Sequence, residues 1–571
     1  LHIIYGGWSE MTTYYIDPED GNDSAAGTSE GAAWKTWQKV FDVGGLWIGG
    51  NTFKGKGGAT YKGPLLIGGS TGATDTNRVT VTSYGTGRHI IDCDNKFSEG
   101  VVTATWRAVS FADVSNIEVK NVAGINEYTW LTSDKVAFKA SGDDGINYHR
   151  LESDGSNPDF TTLGLKSGQY IRVAGFTNEA NNGSWQIYTV TANRIRVVMG
   201  TPTAEAAGNT ITIKSNYGYG CQFYSFSGSG ANTISDCYIH DVQGTGINLQ
   251  TYGALLLKDN IISGCLNNGI GIMGVQGTGT LIIEGNIIRD VCKSGNSGDG
   301  IFLTGYPSSV DIENDVIVRY NHITYNVAWK SAIVGGPKTD KTLTIYGNTL
   351  VGGGIGTVGM NLNQGASLRV YANHISGFKG TSSEVAAAVG INIYGVAATY
   401  AGFPTATVYG NVIEDCTVGL GMSGDKAVVE SQTGSFYNND ISGCDYGVRK
   451  DSFASITLKN NRFWDNTIDL YVGADTTAYV GDYNCFSSVG TEYIANYKDG
   501  GAAYSTLAAY QAAASNDQNS VDSLTECAGA GVWISGVRAY DDLPLPLSPD
   551  IGAVQDRTAP GRRFGVGGGT L

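Results

Sequence analysis

Along most of the chain short apolar runs alternate residue by residue with polar ones, and the pattern returns at intervals. It is clearest in KDNIISGC (258–265), EGNIIRDV (284–291), YNHITYNV (320–327), YGNTLVGG (346–353), YANHISGF (371–378), YGNVIEDC (409–416), YNNDISGC (437–444), KNNRFWDN (459–466) and GDYNCF (481–486). One asparagine holds a fixed place in each unit: Asn260, Asn286, Asn321, Asn348, Asn373, Asn411, Asn439, Asn461 and Asn484, spaced by 26, 35, 27, 25, 38, 28, 22 and 23 residues. A second apolar element follows in most units, as in GINLQ (246–250), GIGIMG (269–274), GIFLTG (300–305), GMNLNQ (359–364), GINIYG (390–395), GLGMSG (419–424) and GVRKD (447–451). Alternation with a period of two is the mark of a strand, and one unit this small cannot bury its own apolar side. Units stacked at the ~4.8 Å strand spacing can.

This period predicts a solenoid rather than a propeller. Parallel crossovers are overwhelmingly right-handed. The expected fold is therefore all-β, a right-handed parallel β-helix, with the asparagines forming a side-chain ladder. The two longest spacings imply loops inserted between rungs, where function concentrates. Weaker units are read at 78–85, 89–95, 116–125 and 233–241. Trp34, Trp37 and Phe41 share one helical face, which predicts a helix capping the first rung; a second helix is expected at 504–514.

Between 121–130 and 217–226 the repeat is lost, and alternating strands with Asn-Gly and Ala-Gly turns predict a small inserted β-barrel or sandwich. Its expected first strand is GDDGINYHR (142–150). The resulting division is 1–77 for the N-terminal strand and cap, 78–130 for the first rungs, 131–215 for the insert, 216–490 for the main solenoid and 491–571 for a C-terminal cap. Met11 is read as a natural start, with residues 1–10 as an added leader.

Composition narrows function. With 82 Gly and only 11 Pro the chain suits tight turns between strands. A net charge of −16 argues against nucleic acid and an anionic membrane surface. No apolar run approaches the ~20 residues that span a bilayer, and the N-terminus shows no signal-type segment. An extracellular or virion setting is compatible with that.

Candidate chemistry is sparse. Asp143 and Asp144 read as turn formers opening a strand, although their oxygens would also suit calcium. The residue before each Gly-apolar pair runs Thr245, Asn268, Asp299, Val389, Val418 and Tyr446, so Asp299 is the one acid of that column. A column four residues after the asparagine is mostly Asp or Gly and includes Asp241, Asp290, Asp415 and Asp465, as a tight turn would. Asp241, Asp290 and Asp299 fall in nearby rungs, at separations of roughly 5–10 Å expected from strand spacing. That range covers the carboxylate pairs of glycoside hydrolysis, in which one acid protonates the leaving oxygen. Tyr325 and Trp329 are candidate sugar-binding aromatics, with Asn268 beside Asp299. Lys330 is a candidate lyase base, provided its pKa is depressed. His240, His322 and His374 sit at repeat positions that favour structure over metal ligation. The nine cysteines show no zinc spacing, and Cys265, Cys416 and Cys444 share one position as reduced, buried side chains.

The opening YYIDPEDGNDSAAGTSEGAAWKTWQKV (14–40) and the ending NDQNSVDS with SPDIGAVQ (516–523 and 548–555) resemble the corresponding segments of microbial right-handed β-helix proteins of the polysaccharide lyase and hydrolase type. The insert is similar to a small module of bacteriophage tail proteins. This resemblance implies a polysaccharide substrate, a tailspike or depolymerase role and a homotrimer. Hydrolysis by a carboxylate pair needs no cofactor. The alternatives are a lyase using Lys330 with calcium, and a non-enzymatic glycan-binding or structural protein of a virion or surface.

Overall fold

The structure is a computed structural model. It describes residues 11–532 apart from 44, 69–72, 75, 104–111, 124–127, 142–147, 156–157, 166–168, 199–201, 217, 225–230, 277, 294–297, 304–311, 328–329, 339, 354–356, 364, 381–387, 396–404, 425–431, 451–454, 473–477, 488–491, 498–501, 514–515, 524–526 and 528–529.

Each rung contributes one strand to each of three sheets. Sheet one has fourteen strands, sheet two thirteen and sheet three fourteen. One rung illustrates the order: Ala254–Lys258 lies in sheet one, Ile261–Cys265 in sheet two and Ile270–Gln276 in sheet three. Pairing is parallel throughout, except where Glu492–Tyr497 meets Ala502–Tyr504 at the end of sheet three. The register stacks like on like. Leu255, Leu281, Val316 and Leu343 align in sheet one; Ile262, Ile288, Ile323 and Leu350 in sheet two; Ile270, Ile301, Ile333 and Met360 in sheet three. All are buried, so the apolar alternation seen in sequence faces one continuous core.

The asparagines form the expected ladder at the corner between sheets one and two. From Asn260 to Asn484 each Nδ2 donates to the next Oδ1 at 2.9–3.1 Å, and each backbone N–H donates to the same oxygen at 2.9–3.2 Å. The remaining amide hydrogen reaches a backbone carbonyl, as from Asn286 to Leu257 at 3.0 Å. Every rung therefore closes a buried corner with its polar groups satisfied.

The insert leaves one rung and returns to it. Ala112–Ser115 pairs with Ala231–Ser235, and Ile117–Lys120 with Tyr238–Val242, across the excursion. The excursion folds as a seven-stranded antiparallel sheet. Two strands, Thr129–Ser133 and Val136–Lys139, precede His149–Ser153, so GDDGINYHR is not its first strand. Asp143 and Asp144 lie outside the described residues. At the N-terminal end the helix Trp37–Val43 covers the core with Trp37 and Val40 buried, and near the C-terminus a second helix spans Leu507–Ala513. Cys265, Cys416 and Cys444 are buried and reduced, but Cys485 and Cys527 form a disulfide that no spacing announced. Among the described residues no helix is long and apolar enough to cross a membrane.

Candidate active site

In each rung one buried or half-buried residue stands at the edge where the sheet-three strand starts. The strand registers place Thr245, Asn268, Asp299, Ser331 and Val358 in this column, one per rung. Asp299 is 8% exposed. Its Oδ1 accepts the backbone N–H of Ser331 at 2.8 Å, and its own N–H donates to Asn268 Oδ1 at 2.6 Å. Burial pushes its carboxyl up to about 6, against the lowering influence of the Ser331 hydrogen bond and the nearby Lys330 charge. A carboxylic acid that titrates near 6 rather than 4 is equipped to give a proton and to take one back close to neutral pH.

Beside this edge the sheet's outer face is a row of side chains: Gln222, Asn248, Gly271, Phe302, Val334, Asn361 and Asn392, in register from rung to rung. Gly271 is closely approached by its neighbours in that row. A Cβ there would stand 3.3 Å from Asn268 Nδ2, 3.3 Å from Thr245 Cγ2 and 3.4 Å from Asn248 Oδ1. Glycine is therefore the residue that fits this position, one rung from Asp299.

The other expected acids lie elsewhere. Asp241 and Asp290 both take left-handed backbone, with φ of 51°, in the turn after sheet two, and both are exposed. Gly264, Gly377 and Gly443 share that conformation in the same column, so the Asp/Gly alternation reflects the turn. Asp241 is occupied by His240, whose Nδ1 lies 2.8 Å away. Asp290 follows the sheet-two strand Ile287–Arg289, whereas Asp299 precedes the sheet-three strand Ile301–Leu303.

Tyr325, expected to meet a sugar, is 1% exposed; its hydroxyl donates to the Gly298 carbonyl at 3.0 Å. It props the turn that carries Asp299. Trp329 lies outside the described residues. Lys330 precedes Ser331 and is half-buried, its charge acting on Asp299. His374 Nε2 pairs with Glu414 at 3.1 Å, and His240 also reaches Glu118 at 3.2 Å while stacking on Tyr238. Sequence reading missed Ser331, which serves through its backbone, and Cys292, whose buried thiol neighbours Tyr325. Neither role leaves a sequence signal.

Among the described residues Asp17, Glu19 and Asp20 bring oxygens within 4.8 Å of one another. The Lys56 ammonium already fills that cluster, at 2.9, 3.3 and 3.1 Å from the three carboxylates.

Residues 179–350 match the family described as the right handed beta helix region. The fold is a right-handed parallel β-helix. The chain is 28% identical over 134 residues to a lacto-N-biosidase of Bifidobacterium longum subsp. longum, a match spanning 20% of this chain and 8% of that protein's length. The structure of a pectate lyase aligns over 96% of this chain and 97% of its own, at 12% identity and a TM-score of 0.34. The tailspike of Pseudomonas phage phi297 aligns over 81% and 74%, at 12% identity and a TM-score of 0.23.

Proposed function

We propose that this β-helix cleaves glycosidic bonds of a polysaccharide by hydrolysis, with Asp299 as the general acid. The observation that carries the reading is a buried, largely desolvated carboxyl held between the Asn268 amide and the Ser331 N–H. In the reaction the anomeric C–O bond breaks, and its electrons stay with the leaving oxygen, which takes the proton of Asp299. Water adds to the anomeric carbon and gives its proton to a base. Lys330 then faces a newly formed carboxylate, whose charge it stabilises. The setting we propose is outside the cell or on a phage tail, as a trimer.

The test is incubation with a broad polysaccharide panel, with and without EDTA, following reducing ends and the ultraviolet absorbance of unsaturated uronates together. Saturated fragments that fall at least 100-fold in rate in Asp299→Asn support the hydrolase. Unsaturated products lost in Lys330→Ala or with EDTA would replace it with the lyase reading. Binding without cleavage would leave a glycan-binding protein.

A further inference from the structure

The insert carries an arginine that its own fold leaves without an acid. Arg150 and Glu152 lie on one side of the strand His149–Ser153, while Leu151 between them fills the core. The neighbouring strand Arg194–Val198 sets Arg196 directly opposite Arg150, and Arg194 opposite Glu152. Like charges facing each other across strands are unfavourable. Glu152 relieves two of the three guanidiniums: one oxygen accepts Arg150 Nε at 2.7 Å, and the other accepts Arg194 Nη2 at 3.0 Å. Both oxygens are thereby engaged away from Arg196.

Arg196 is held by rings instead. Its guanidinium carbon lies 4.4 Å from the centroid of the Tyr148 ring and 4.1 Å from that of Tyr188. The strand Gly183–Thr191 gains one residue here, because Ile187 pairs with Val197 and Thr189 with Arg196. Tyr188 and Thr189 therefore both stand opposite Arg196, and both are exposed, Tyr188 to 46%. A bulge of this kind re-aims a side chain, and Tyr188 lies over the cation. The Nε of Arg196 is enclosed, so the inner edge of the guanidinium is closed off. Its two Nη groups are not enclosed, and among the described residues no acceptor meets them. One edge of a planar cation thus faces outward beside an exposed aromatic ring, in a chain with 53 acids against 37 Lys and Arg.

We propose that Arg196, framed by Tyr148 and Tyr188, is a binding site for a uronate, a sugar ring that bears a carboxylate. The edge formed by Nη1 and Nη2 matches the two oxygens of a planar carboxylate. The exposed Tyr188 ring gives the C–H face of the sugar a surface to pack on. A guanidinium already fixed against two rings loses little freedom when the anion arrives. The site lies on the insert and needs nothing from Asp299.

The experiment is calorimetric titration of the full chain with glucuronate, galacturonate, glucose, acetate, sulfate and phosphate at about 50 mM salt, where screening is weak. Both uronates should bind roughly tenfold more tightly than acetate, and glucose should not bind. Arg196→Lys keeps the charge without the fork and should weaken the uronates about tenfold, whereas Arg196→Met should abolish binding. Tyr188→Ser should reduce the uronates to the affinity of acetate, and Asp299→Asn should bind them as the parent does. No uronate binding, sulfate or phosphate bound as tightly as the uronates, equal affinity for acetate, or binding kept in Arg196→Met would each overturn the proposal. So would binding lost in Asp299→Asn, which would move the ligand to the solenoid. A parent blind to every probe, with Arg196→Met melting lower, would mark the clamp as a structural contact of the insert. Cleavage plays no part in the readout, so the hydrolase reading can fail while this site stands.

Discussion

The indole Nε1–H of Trp37 donates to Nε2 of His89 across 2.8 Å, joining the capping helix to the first rungs. The other ring nitrogen lies 2.9 Å from the Lys56 carbonyl, so the neutral imidazole uses both nitrogens. Burial holds its pKa down at about 4. Because the folded value lies below the ordinary imidazole value, the stabilisation is complete above ~6.5 and drains as pH falls towards 4, by on the order of 3 kcal/mol. Amide protection factors of Trp37–Val43, corrected for intrinsic exchange, should therefore fall between pH 7 and pH 4.5, ahead of those of the central rungs. Equal protection at both pH values would contradict this role for His89.

Asp299 gives a stability signature of the opposite sign. Its folded pKa, about 6, lies above the ordinary carboxylate value, so the folded state bears a penalty that grows as pH rises from ~4 through 6. Asp299→Asn keeps an acceptor for the Ser331 N–H and removes the buried charge. The variant should be more stable at pH 8 by on the order of 3 kcal/mol and unchanged at pH 4. Thermal melts at the two pH values check this, and a variant less stable at pH 8 would show that the carboxylate is better solvated than its burial implies.

Within the ladder Asn348 donates to Asn373 Oδ1 and to the carbonyls of Val318 and Tyr346, and accepts from Asn321. Asn348→Ala strands buried groups on both neighbouring rungs and should cost about 3–5 kcal/mol. Asn348→Asp should be as damaging at neutral pH, because a carboxylate accepts but cannot donate onward. Urea denaturation of the two variants measures both. A loss below 1 kcal/mol for the alanine variant would mean that the ladder relaxes around the gap.

The disulfide predicts a thiol count. Seven cysteines should alkylate in denaturant without reductant and all nine with it, the difference being Cys485 and Cys527. The bond closes a separation of 42 residues, for which chain entropy gives about 4 kcal/mol. Reduction should therefore loosen the last rungs first. Mass spectrometry of the alkylated chain reads the count directly.

Repetition made the solenoid legible. Nine asparagines in one sequence position mark nine equivalent corners, and the Asp/Gly column at 241, 264, 290, 377 and 443 marks a left-handed turn before any coordinate is known. Asp299 was legible for the same reason, as an acid in a column that otherwise lacks one. What escaped were contacts that depend on a single rung. Tyr325 shares its register with Gly352, and nothing local says that its ring turns under Gly298. The order of strands in the insert depends on pairings such as Thr129–Ser133 with Ile211–Ser215, distant in sequence. The Cys485–Cys527 pair has no spacing motif for a similar reason.

The ladder has a direction, and that direction has an end. At the last rung Asn484 Nδ2 donates to Asp517 Oδ1 at 2.8 Å, its N–H donates to Ser520 Oγ at 2.8 Å, and Tyr479 donates to the other Asp517 oxygen at 2.7 Å. Asp517 receives what an asparagine would receive but has no amide hydrogen to hand on. The relay of amide hydrogens therefore stops at Asp517, where an oxygen stands in the place that a nitrogen takes in the preceding nine residues.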